Sequence, residues 1–88
     1  MNNLEMLILA SLAREVAVIN QAISGVSPEN PILDELGASQ VFETLMEAEE
    51  TLYRLERKAN SEQREVIVDA IEKMARIVEK LEAVVGVE

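Results

Sequence analysis

Cysteine and histidine are both absent from this chain of 88 residues. Without cysteine there is no disulfide and no thiolate metal site, and nothing asks for an oxidising compartment. Without histidine the commonest general base and the commonest metal ligand are gone, so any chemistry here would have to run on carboxylates. Aromatic residues are nearly absent too: Phe42 and Tyr53 are the only ones. An interior built from Leu, Ile, Val, Ala and Met favours packed helices over a sandwich of sheets. Long apolar runs are also lacking. The stretch from Met6 to Ala10 is broken by Ser11, Arg14 and Glu15 well before it could span a bilayer, and the N-terminus has no basic n-region. A cytoplasmic location is the default expectation.

Bases are scarce: eight Lys and Arg stand against seventeen Asp and Glu, for a net charge of −9. The imbalance is concentrated early. Residues 1 to 53 hold nine acids and only Arg14 as a base, whereas residues 54 to 88 hold eight acids and seven bases. A field of that sign repels phosphate backbones and anionic lipid, so neither direct nucleic-acid binding nor membrane binding is expected. The same field speeds encounter with a basic protein partner. Between Glu29 and Glu50 there are seven acids and no base. Glu29, Asp34, Glu35, Glu43, Glu47 and Glu50 therefore form the candidate acidic contact surface.

Periodicity and punctuation predict an all-α single domain over 1–88, a three-helix bundle with a short extra helix. The first long helix is expected over about 3–24, with Asn2 or Asn3 as its cap and Gly25 as a left-handed terminator. Asn30-Pro31 opens a short helix over 31–36 that Gly37 ends. Ser39 then caps a long helix over 39–59, and Ser61 caps the last, over 61–85, before Gly86. Val41, Leu45, Ala48, Leu52, Leu55 and Ala59 recur at steps of four and three. So do Ile67, Ile71, Met74, Val78, Leu81 and Val85. Such heptad seams predict gently crossing helices, and a turn of one or two residues makes the last two an antiparallel hairpin. Glu50 with Arg54, Asp69 with Lys73 and Glu72 with Arg76 are favourable pairs four apart, each contributing about 0.3–0.5 kcal/mol.

Two features exceed the needs of a three-helix monomer. In the first helix Leu4, Ile8, Leu12, Val16, Ile19 and Ile23, with Leu9 at the edge, suffice for a core stripe. Leu7, Val18 and several alanines make the rest of it apolar as well. In the second helix Phe42, Met46 and Tyr53 lie about 100° from the heptad seam, and aromatics and Met are residues that interface cores favour. Glu49, with Glu56, falls between that stripe and the seam, where a carboxylate partly shielded by apolar neighbours wants a base. Leu7, Val18, Phe42, Met46, Glu49 and Tyr53 are the candidate partner or dimer interface. Burying about 800 Å² per subunit at about 25 cal/mol per Å² would offset the several kcal/mol that association costs.

Catalytic constellations are poorly served. Glu47 with Glu50, Glu62 with Glu65, and Glu79 with Glu82 have the Glu-x-x-Glu spacing by which bundle enzymes hold Mg²⁺. In the all-α nucleotide pyrophosphohydrolase arrangement that element faces Glu-x-x-Asp on the next helix. Here the second element is reversed as Asp69-x-x-Glu72, and Glu47 and Glu50 point away from the seam, so the spacings do not amount to a resemblance. A di-iron bundle needs histidine, and there is neither a Gly-rich phosphate loop nor a Walker-type lysine. No catalytic residue, metal site or cofactor is expected.

The reading is therefore a non-enzymatic, acidic protein-interaction module, expected to be a homodimer, that binds a partner protein through apolar helix faces with an acidic rim. A small inhibitor that mimics nucleic acid and blocks a basic groove, of the kind phage anti-defence proteins use, ranks second. A carboxylate–Mg²⁺ hydrolase ranks third.

Overall fold

The computed structural model describes residues 1–25 and 35–85, with the side chains of residues 35, 84 and 85 left aside. Among the described residues three helices follow one another: α1 (Asn3–Ala22), α2 (Glu35–Glu56) and α3 (Ser61–Val85). Each packs against the other two. α3 lies along both α1 and α2, which meet over a shorter stretch. The all-helical, three-helix bundle expected from the sequence is what the described residues form.

The start of α1 is set by reciprocal hydrogen bonds. The Asn2 side chain accepts from the Glu5 backbone N–H at 2.8 Å, and the Glu5 carboxylate accepts from the Asn2 N–H at 3.1 Å. Two backbone donors that a helix start leaves unpaired are thus satisfied together. At the other end the helix stops at Ala22, two residues earlier than expected, and Gly25 does not take the left-handed conformation assigned to it. Ser24 closes the turn instead, its Oγ donating to the Gln21 carbonyl at 2.8 Å. Lys80 of α3 donates to the Ser24 carbonyl at 3.1 Å, which ties the end of α1 to α3.

The largest departure from the sequence reading is in α2. Gly37 does not end a short helix and Ser39 does not cap a new one, because both lie inside α2. Residues 31–34 of the expected short helix lie outside the described residues. Continuing the helix backward buries Ala38, which extends the 4-3 seam of Val41, Leu45, Ala48, Leu52 and Leu55 by one step. Burial on the seam thus outweighs the helix-breaking tendency of one glycine, which is about 1 kcal/mol. α2 ends at Glu56 rather than at residue 59, and four residues, 57–60, link it to α3.

Asn60, not Ser61, is the cap of α3. Its side chain accepts from the Gln63 N–H at 2.9 Å while the Gln63 side chain accepts from the Asn60 N–H at 2.9 Å. A Gln three residues downstream completes the same reciprocal motif that starts α1.

The core is one cluster of apolar side chains from all three helices, and among the described residues none of its buried members is polar. Leu52, Ile67, Ile77 and Val16 are the largest fully buried side chains, each contributing about 1.5–3 kcal/mol of transfer free energy. Two seams sit differently from the sequence reading. In α3 the buried set is Ile67, Ala70, Met74, Ile77 and Leu81, with Ile71 and Val78 only partly covered. The stripe is turned because α3 faces two neighbours, so its core lies between the direction of α1 and that of α2. In α1 the expected stripe is turned as well. Leu9, Val16 and Ile23 are buried with Leu12 and Ile19 beside them, whereas Leu4 is 67% exposed and Ile8 also faces water. Leu9, placed at the edge from sequence, is at the centre.

Candidate functional site

Two groups of exposed apolar residues stand out, apart from the scattered Met6, Ile8, Leu36 and Val66. The first lies on the outer side of α1. Leu7 and Val18 are 66% and 59% exposed, and at about 100° per residue they sit nearly half a turn from Leu9 and Val16. With Leu4, Ser11 and Arg14 they form a second 4-3 seam on the same helix, opposite the one that enters the core. A shallow hollow there is lined by Leu7, Ala10, Ser11, Arg14, Glu15 and Val18, among others. Its only charged residues, Arg14 and Glu15, balance each other.

The second face is a groove between α2 and α3. Phe42, Met46 and Tyr53 are 42%, 52% and 49% exposed on α2. Phe42 and Met46 line the groove together with Ile71, Ala75 and Val78 of α3, over Leu45 and Met74. It continues past Phe42 and Val78 to Ser39, Glu43 and Glu82, where it opens into a hollow of about 430 Å³. Because the helices are antiparallel, each step down α2 meets a step up α3, and this register sets Tyr53 at the level of Val68, which is also exposed. The aromatic stripe therefore borders α3, not α1.

These two faces look in opposite directions. α1 turns its buried seam toward the α2–α3 pair, so its outer seam points away from the groove by the full thickness of the bundle. Leu7 and Val18 thus belong to one surface, and Phe42, Met46, Glu49 and Tyr53 to another. A single patch containing all six, as the sequence suggested, does not exist.

The acids of the candidate contact surface separate in the same way. Glu43 lies at the groove's open end, and Glu49 is half-buried along its wall. Glu47 and Glu50 are exposed on the outer side of α2, as their phase predicts. Glu50 accepts from Arg54 at 2.7 Å. Glu29 and Asp34 lie outside the described residues, and Glu35 is the first residue of α2. Asp69 pairs with Lys73 at 2.8 Å, whereas the third expected pair, Glu72 with Arg76, is not closed. Among the described residues no three acidic side chains gather where they could hold a metal ion, and no helix is long and apolar enough to cross a membrane.

One ion pair was not foreseen. Glu5 occupies a seam position on α1, one step before Leu9, and its side chain is 17% exposed. The Lys58 ammonium, from the α2–α3 link, reaches it at 3.0 Å. Its carboxyl is held below its ordinary pKa of 4.5, first by the Asn2 backbone N–H and then by Lys58. The 4-3 frame of Leu9, Leu12, Val16, Ile19 and Ile23 was the available signal, since an acid in that frame requires a partner.

Compared with known protein families, with curated proteins and with solved structures, the chain matches none of them.

Proposed function

We propose that this protein is a non-enzymatic protein-interaction module that pairs with a second copy of itself and holds a partner protein. The observation that carries the reading is the presence of two apolar strips left in water on opposite sides of a bundle with a complete apolar core. Monomeric soluble proteins usually avoid contiguous exposed apolar surface of this kind. Charge apportions the two strips. The outer seam of α1 is electrically balanced, so two copies can meet there about a twofold axis without net local repulsion. In an antiparallel arrangement with Leu7 facing Val18 of the other copy, Ser11 faces the other Arg14 near the axis, and the two Arg14 and two Glu15 side chains gathered there sum to zero charge. The groove offers a second copy no such balance, since acids would meet acids, and it is left for the partner. Oppositely directed faces also support this division. A contact between the α1 face of one molecule and the groove of the next would be head-to-tail and would propagate rather than close.

Light scattering at micromolar concentration in moderate salt tests the pairing. The expected mass is twice that of the chain, with association strengthening as salt screens the −9 charge of each copy. Leu7→Glu combined with Val18→Glu is expected to give a folded monomer. A wild-type mass that stays at one chain over the concentration series would overturn it.

A further inference from the structure

The floor of the α2–α3 groove is apolar, formed by Phe42 and Met46 on one side and Ile71, Ala75 and Val78 on the other. From Ser39 to Glu49 it runs for roughly 15 Å, about three helical turns, and Tyr53 lies one turn further along the same side of α2. Glu43 and Glu82 border its open end and Glu49 its other end, and no Lys or Arg lines either part. Among the described residues none of these three carboxylates is in an ion pair.

That combination selects among occupants. An extended segment would need backbone partners, which two helices with internally paired backbones do not offer. An amphipathic helix needs none, because it lays an apolar face into a groove through side chains alone. An acidic or neutral helix would leave Glu49 shielded and without a counter-charge, whereas a basic one supplies it.

We infer that the α2–α3 groove is the docking site for an amphipathic α-helix of a partner protein that carries Lys or Arg on both flanks of its apolar stripe. The inference rests on the interaction-module reading and names the partner's chemistry. Phe42 and Tyr53 are the rigid anchors, and the flexible Met46 adapts to the knobs that settle between them. Glu43, Glu49 and Glu82 take the flanking bases. At the Tyr53 end Arg54 and Arg57 accompany Glu50 and Glu56, so the partner's basic charge belongs toward the Phe42 end.

The test uses the full chain and two labelled synthetic helical peptides of about 18 residues, read by fluorescence anisotropy. Both carry Leu at spacings of three and four; one has Lys on the flanks and the other has Glu at the same places. The Lys peptide is expected to bind at least about tenfold more tightly than the Glu peptide, and less tightly as salt rises. Phe42→Ala with Met46→Ala, which alters no charge, is expected to weaken it by about tenfold or more. Glu43→Gln with Glu49→Gln and Glu82→Gln is expected to remove the preference for the Lys peptide, whereas Glu47→Gln, outside the groove, leaves binding unchanged. Equal binding of both peptides, abolished by Phe42→Ala with Met46→Ala, would overturn the basic occupant and leave the interaction module standing. Binding of the Lys peptide that ignores Phe42→Ala with Met46→Ala is diffuse charge attraction and would overturn the groove. Binding of neither would also overturn it, and the pairing through α1, measured without the groove, decides the broader reading separately.

Discussion

Asn60 and Ser61 are both good helix caps by type, and the choice between them depends on what stands three residues on. Asn60 has Gln63 and Ser61 has Arg64. Only Gln can return a hydrogen bond to the cap's own backbone, and it does so at 2.9 Å. The distinction was therefore legible in the sequence through the reciprocal motif rather than through the cap residue alone. Asn60→Ala is expected to cost about 0.5–2 kcal/mol in urea unfolding, and Ser61→Ala a few tenths. The reverse order would return the cap to Ser61. Glu5 supplies a second residue-scale test. Its pKa is depressed in the folded state, so its pairing with Asn2 and Lys58 contributes stability above the ordinary carboxylate pKa of 4.5 and loses it as pH falls through the lower folded value. Lys58→Met is expected to lower the melting temperature at neutral pH, and the difference from the wild type to shrink in acid. A difference that persists unchanged when carboxylates are protonated would show that the lysine acts through packing alone.

Among the elements, the bounds of α2 were misplaced but its buried seam was read best, and the seam of α1 worst, for one physical reason. In α2 the 4-3 steps from Val41 to Leu55 are filled by apolar residues without a gap, whereas the neighbouring stripe of Phe42, Met46 and Tyr53 is interrupted by Glu49, so only one frame is complete. α1 is apolar on several sides, and two seams half a turn apart compete there: one contains Leu9, Val16 and Ile23, the other Leu4, Leu7 and Val18. Counting apolar residues does not choose between them, whereas packing against α2 and α3 does. α3 shows a smaller version, in which Ile77 is buried in place of Val78 because the helix faces two neighbours. Leu9→Ala is expected to cost about 2–5 kcal/mol, while Leu4→Ala stays within about 0.5 kcal/mol in the monomer. Comparable losses at both positions, measured at a concentration where the chain is monomeric, would contradict the frame assigned to α1. Gly37 and Ser39 misled for a related reason, since local punctuation was set against the burial of Ala38, a contact with residues far along the chain.

For the molecule as a whole, the sequence reported that apolar surface was in excess but not where the excess lay. Leu7 and Phe42 belong to different helices, so whether they share a face depends on how the helices stack. The bundle sets them on opposite sides, and a proposed single interface becomes two with different charge. The balanced α1 face suits an identical copy; the acid-bordered groove suits a basic helix. This division is the central claim, and one measurement tests most directly that the two faces are distinct. A nitrogen–proton correlation spectrum of the labelled full chain, titrated with the Lys-flanked peptide, reports each backbone amide separately. Shifts are expected at Phe42, Met46, Ala75 and Val78, with Leu7, Ser11 and Val18 undisturbed. Shifts centred on Leu7 and Val18, or spread evenly along the outer acids Glu47 and Glu50, would contradict the account.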